Sequence, residues 1–183
     1  MNKNILKIFI SSLMTLSCQK EKAENAVVEK PVEKIKDTVK ISNPKSNDTI
    51  VISKIHKPNS VSCDLDGDKL TDNVKIVQST KNKKYGFEIK FGNGKTDYLG
   101  MGKDIAGQGI DDIEWAGIFE IAPKNEIYYN NVSDDGEIIS EDQVKESDKI
   151  KLPNDGIFIH NSESCGGGVI YLNNGKYDWI QQE

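Results

Sequence analysis

The stretch DLDGDKLTD, residues 64–72, places carboxylates at Asp64, Asp66, Asp68 and Asp72. Four like charges within nine residues repel and raise one another's pKa values. A hard divalent cation relieves that repulsion. Ca²⁺ takes six to eight oxygens at about 2.3–2.6 Å, from carboxylates and backbone carbonyls of flexible loops. Leu70 stands between the last two carboxylates, and its backbone C=O is the fifth candidate ligand. Gly67 lets the chain bend sharply between ligands. No His or Cys pattern accompanies the carboxylates, which disfavours zinc and copper. The expected cofactor is therefore Ca²⁺, with Asp64, Asp66, Asp68, Leu70 and Asp72 as its ligands. The competing expectation is an Asp-rich turn held by side-chain hydrogen bonds alone.

A helical EF-hand is excluded. Its loop needs Gly at position 6 and Glu at position 12, where this chain has Lys69 and Lys75. A strand-like NVKIVQ follows in place of a helix. The spacing of Asp64, Asp66, Gly67, Asp68 and Asp72 before VKIV resembles the Asp-rich calcium loop of FG-GAP and VCBS-type β-repeats. That resemblance implies one Ca²⁺ wrapped by a β-hairpin loop. It covers a single copy, so the family's propeller or stalk architecture is not implied.

Other chemistry-bearing stretches carry less. Asp111, Asp112 and Glu114 could serve as paired carboxylates for acid–base work, or simply line a polar loop leading to Trp115. His160 and Cys165 suggest a Cys–His hydrolase, but they stand five residues apart, and catalytic partners usually come from separate elements. Tyr171, Tyr177 and Trp179 could form a sugar- or peptide-binding face, or pack as cross-strand pairs. No catalytic residue is assigned.

The 183-residue chain has a net charge of -5, and all of its basic residues are Lys. Arg is the usual bidentate reader of phosphate, and phosphate backbones attract basic surfaces. Nucleic acid is therefore not an expected partner. Residues 1–17 begin with Lys3 and Lys7 and continue as a short apolar run, the layout of a secretory signal. TLSC, residues 15–18, resembles the bacterial lipoprotein lipobox, with Thr15 where Leu is usual and Leu16 one place late. The resemblance implies cleavage before Cys18 and lipidation of that residue. Two or three acyl chains would then anchor the protein stably to a membrane. The expected location is the bacterial cell envelope, lipid-anchored at the outer membrane or cell surface. Residues 18–48 read as the lipidated Cys and a solvated Lys/Glu-rich linker. With Cys18 acylated, Cys63 and Cys165 remain as a candidate disulfide, closing a loop worth up to about 4–5 kcal/mol in the chain-entropy model, or as two buried thiols.

These sites need a scaffold, which residues 49–183 supply with 15 Lys against 23 acidic residues. The pattern there is β. YGFEIKF (85–91) alternates cleanly, with Tyr85, Phe87, Ile89 and Phe91 on one face. NVKIVQST (73–80) puts Val74, Ile76 and Gln78 on one face. Further strands are expected in 49–55, 95–100, 113–122, 126–131, 156–161, 167–172 and 176–181. Asn174-Gly175 between the last two is a strong hairpin signal. SEDQVKES predicts a helix of about two turns, with Ser140 and Gln143 as a capping box. The fold class is therefore mainly β: one small domain of antiparallel strands and hairpins with at most one or two short helices. Its expected core is Val74, Ile76, Phe87, Ile89, Phe91, Trp115, Ile118, Phe119, Ile157, Ile159, Ile170, Tyr171 and Trp179. The closing GGGVIYLNNGKYDWIQQ resembles the end of some small uncharacterised exported bacterial proteins, a likeness that implies no activity.

The leading functional expectation is a membrane-anchored, non-enzymatic binding or structural module with a protein or glycan ligand. The alternatives are an envelope hydrolase acting on a polymer, with the carboxylates of 111–114 in its cleft, and an inhibitor that protects against an envelope-active toxin or enzyme.

Overall fold

The computed structural model describes residues 49–183 apart from 134 and 164. The expected signal segment, Cys18 and the linker, residues 1–48, lie outside the described residues. The fold is mainly antiparallel β. Sheet one contains β1 (Ile50–Ile52), β2 (Ser60–Cys63), β3 (Asp72–Ser79), β4 (Tyr85–Lys90) and β5 (Thr96–Gly100). Its order is β1-β3-β4-β5, with β2 beside β1 along the same edge of β3. Sheet two, order β11-β10-β9-β6, contains β6 (Ile118–Ala122), β9 (Gly156–His160), β10 (Gly167–Asn173) and β11 (Lys176–Gln182). A two-stranded ribbon, β7 (Ile127–Tyr128) and β8 (Ile150–Lys151), stands apart from both sheets.

The two sheets bury one shared core. Val74, Ile76, Phe87, Ile89 and Phe91 of sheet one join Phe119, Ile157, Ile159 and Ile170 of sheet two. Phe87 and Phe119 meet across the gap with ring centroids 5.8 Å apart. Alternation along a strand sends successive side chains to opposite faces, so Val169, Tyr171 and Ile180 point away from this core. They are buried in a second cluster with Ala122 and Leu152, against which Tyr128 and Ile150 of the ribbon pack. Tyr171 therefore belongs to a second core beneath the ribbon.

Local chemistry explains the boundaries. At the β10–β11 turn, Asn174 (φ 51°) and Gly175 (φ 78°) both adopt the left-handed region, as a two-residue type I′ hairpin requires. The expected strand at 113–122 begins only at Ile118. The Ala116 N–H donates to Ile113 O (3.0 Å) and the Trp115 Nε1–H to Asp112 O (3.0 Å), folding 112–116 into a turn. The predicted helix is two single 3₁₀ turns, Glu141–Gln143 and Glu146–Asp148. The capping box of Ser140 and Gln143 forms, but neither turn buries a residue, and Val144 is already extended. Helical propagation depends on packing an apolar face, and none is present here. Gln78 stays half-exposed while its neighbour Val77 is buried.

The candidate disulfide is not formed. Cys63 is buried and Cys165 exposed, and they are not joined. Asp64, next to Cys63, is hydrogen-bonded to Asp155, just before β9. Cys165 lies in the turn after β9, closed by the Asn161 N–H to Gly166 O bond at 3.0 Å. At about 3.3 Å per residue, that strand separates the two thiols by well over the roughly 7 Å Cα distance that a bridge spans.

Candidate metal centre

The loop joining β2 to β3 alternates inward and outward. Leu65 is fully buried in the shared core, while Asp64 and Asp66 on either side of it stay partly exposed. Burying one Leu contributes about 1.5–3 kcal/mol, so Leu65 anchors the loop and turns both carboxylates outward together. Asp72, at the loop's end and the start of β3, is completely buried. Its Oδ2 accepts the Leu65 N–H (2.7 Å) and its Oδ1 the Gly92 N–H (2.9 Å). Asp64 Oδ1 accepts the N–H groups of Gly67 (2.9 Å) and Lys69 (3.3 Å), closing the bend. Gly67 suits this bend because its φ of 80° lies in the left-handed region that L side chains rarely adopt.

This folding gathers three of the predicted ligands. Oxygens of Asp64, Asp66 and Asp72 all lie within 4.8 Å of one another, and the trio could hold a metal ion. Asp68 is not part of this trio: its Oδ1 accepts the Leu70 N–H at 2.7 Å. Leu70 leaves its side chain about half exposed.

Four residues of the surroundings were not anticipated from sequence. Asp155 takes the Asp64 N–H on Oδ2 (3.0 Å) and the Lys124 N–H on Oδ1 (3.0 Å). Asn93 donates to Asp66 Oδ2 (3.1 Å) and Asp68 Oδ2 (3.4 Å). Lys124 Nζ stands 3.6 Å from Asp64 Oδ2, and Asn154 covers Gly67. They come from three later connections, before β5, after β6 and before β9, and no local sequence signal marks them.

Electrostatics record the crowding. The Asp66 carboxyl is held above its ordinary pKa by partial desolvation and then by the charges of Asp72, Asp68 and Asp64; the Asp68 N–H opposes this. The Cys63 thiol beneath the loop is pushed up to about 12 by burial and then by Asp155, Asp72 and Asp64. It is therefore a neutral thiol at physiological pH. The trio itself offers only carboxylate oxygens, a donor set for hard cations.

The remaining candidates separate into structural roles. Asp111 pairs with Lys84, and Asp112 Oδ1 accepts the N–H groups of Tyr85 (2.9 Å) and Glu114 (3.1 Å). His160 is bonded through Nδ1 to the Asn161 carbonyl at 2.6 Å, on its own side of the turn. His56, not singled out from sequence, is buried. Its Nδ1 lies 2.6 Å from Ser53 Oγ and its Nε2 3.2 Å from Ile113 O, tying the β1–β2 connection to the 112–116 turn. No family model, curated protein or solved structure matches this chain.

Proposed function

We propose that this protein is a lipid-anchored lipoprotein of the bacterial cell envelope whose β domain is stapled by Ca²⁺ and acts as a non-enzymatic binding or structural module. The observation that carries the cation reading is the convergence of Asp64, Asp66 and Asp72, whose carboxylate oxygens all lie within 4.8 Å of one another. An all-oxygen set on an Asp-rich loop suits Ca²⁺, which takes six to eight such ligands in flexible geometry, better than Mg²⁺, which demands a near-ideal octahedron. The loop's hydrogen bonds to fixed backbone favour a structural staple over a moving sensor. Support for the anchor is the basic start at Lys3 and Lys7, the short apolar run and the TLSC sequence ending at Cys18. The acid–base alternative is weakened at its named pair: Asp111 is ion-paired with Lys84, and Asp112 caps backbone N–H groups.

Thermal unfolding of the full chain in mild detergent tests the cation. Millimolar Ca²⁺ should raise Tm over a chelator control, and over Mg²⁺. The Asp66→Ala/Asp68→Ala double variant should lose that increment. No calcium-dependent shift in the unaltered chain refutes the staple. Membrane fractionation tests the anchor: Cys18→Ser should release the protein, and retention unchanged rules out the lipid as tether.

A further inference from the structure

The chain has two tryptophans, and both line one open cleft of about 230 Å³. Trp115 comes from the turn before β6 and Trp179 from β11. Ile110, Asn161, Gly167 and Gln181 complete most of the wall. The cleft lies beyond the C-terminal end of β9, whereas the carboxylate trio is tied by Asp155 to the N-terminal end of the same strand. It is therefore a separate place on the domain, about 20 Å away along the strand.

Both indoles are pinned. The Trp115 Nε1–H donates to Asp112 O (3.0 Å) and the Trp179 Nε1–H to Gln181 Oε1 (3.0 Å). Trp179 packs over Gly168, where an added Cβ would sit 2.3 Å from its ring. With their N–H groups engaged internally, the rings offer the cleft only their apolar surface. Asn161 has Oδ1 engaged by the Glu163 N–H (2.9 Å). Its Nδ2 has no partner among the described residues and is not buried. Among the described residues, no side chain lining the cleft is charged, although residues 49–183 carry eight more acidic than basic groups.

A cation would be best served by a carboxylate beside the rings, and none lines the wall. An anion would need a basic group or an array of free N–H donors. What fits two fixed indole faces, a free amide N–H₂ and an uncharged wall is a neutral ring, apolar on its faces and rich in hydroxyls at its edge. We propose that this cleft binds one pyranose unit of a neutral glycan, stacked on an indole, with Asn161 Nδ2 donating to a ring hydroxyl. The volume, just below the usual range of ligand pockets at about 300 Å³ and above, suits a single ring with the rest of the chain outside.

Because both tryptophans lie in the cleft, tryptophan emission reports its occupancy, and the chelator arm controls for the cation loop. The full chain in detergent is titrated with maltotriose, cellotriose and chitotriose, each with Ca²⁺ and with chelator. At least one should give a saturable change in emission, with a Kd in the range of about 0.1–10 mM expected for a shallow site. The bound sugar should slow alkylation of Cys165, which also lines the cleft. Asn161→Ala, which removes one hydrogen bond, should weaken binding about 3- to 10-fold. Trp115→Phe should weaken it at least as much, and should lower Tm only by the few degrees expected for losing the bond to Asp112 O. A response that persists with chelator belongs to the cleft and not to the cation loop. The proposal is overturned if no trisaccharide produces a saturable change, if both variants bind as tightly as the unaltered chain, or if only acetylated trilysine, used as a cationic control, elicits the response.

Discussion

Asp64 and Asp155 clasp each other through the backbone: the Asp155 N–H reaches Asp64 O at 3.1 Å, and the Asp64 N–H reaches Asp155 Oδ2 at 3.0 Å. The pair ties the carboxylate loop of sheet one to the entry of β9 in sheet two. The other Asp155 oxygen holds the Lys124 N–H, which brings Lys124 within 3.6 Å of Asp64 Oδ2. One side chain therefore sets both the position of the first ligand and the place of the lysine beside it.

Asp155→Ala removes two hydrogen bonds to a charged acceptor without touching the trio. Each such bond contributes about 1.5–3 kcal/mol. A loss of about 2–4 kcal/mol is expected by urea unfolding in chelator, since partly exposed partners recover some solvation. Calcium affinity, read by isothermal titration, should fall as well because Asp64 loses its fixed position. An unchanged unfolding midpoint would remove Asp155 from this role.

Asp66 and Asp72 carry the same charge and should answer differently to neutralisation. Asp66 is partly exposed, and its carboxyl is held above its ordinary pKa by partial desolvation and its like-charged neighbours. A carboxyl whose folded pKa is raised contributes stability that is complete below its unfolded pKa and is lost as pH rises through the folded value. In chelator, the unaltered protein should therefore gain stability on mild acidification through Asp66. Asp66→Asn should lose the calcium increment while changing the calcium-free Tm little, because relief of repulsion is offset by turning an N–H₂ toward one of two exposed donors, the Asp68 N–H or Asn93 Nδ2. Asp72→Asn places an N–H₂ against one of two backbone donors, Leu65 or Gly92. With Leu65 buried, a loss of about 2–4 kcal/mol is expected with or without calcium. Scanning calorimetry of both variants checks the contrast. If both change the calcium-free Tm little, Asp72 is only a ligand and not a structural acceptor.

The strands were legible where alternation met a clear turn residue. YGFEIKF supplied β4, and Asn174-Gly175 formed the type I′ turn between β10 and β11 because only residues tolerant of positive φ fit there. The 113–122 strand was overestimated, since the hydrogen bonds of Ile113 and Asp112 that fold its first half into a turn have no signature in hydrophobic pattern. Leu65 was missed as core because it sits alone between two aspartates, and Leu152 because Pro153 follows it and interrupts any strand pattern; their burial follows from how loops fold back. The site was half legible. Period-two spacing identified the carboxylates, but their sorting into the trio and the Asp68 turn depends on hydrogen bonds from residues up to 91 positions away. Trp115 and Trp179 were expected in the core; they pack against it and also line the cleft, where Gly166 and Gly167 leave no side chain in the way.

Tyr177 and Asp97 join the edge strands of the two sheets, β11 and β5, through a Tyr177 O–H to Asp97 Oδ2 bond of 3.0 Å. Lys95 Nζ shares that oxygen, also at 3.0 Å, but is about half exposed. Asp97 Oδ1 is buried without a partner among the described residues. The carboxylate thus depends chiefly on the tyrosine, and Tyr177→Phe should cost about 2–3 kcal/mol, the scale of a hydrogen bond to a buried charge. Burial, followed by the neighbouring Asp97 charge, raises the Tyr177 pKa far above its ordinary value. Tyr128 is pushed up to about 12 by burial and then by Glu126. A phenol whose folded pKa is raised contributes stability that is complete below its unfolded pKa of about 10 and declines as pH rises beyond it, because the unfolded chain releases the proton first. Unfolding free energy should therefore fall steadily above about pH 10, from urea titrations at stepped pH. Tyr177→Phe should start lower at pH 8 and show a shallower fall. If its alkaline slope equals that of the unaltered protein, Tyr177 does not hold its proton across that range and the sheets are not joined through it.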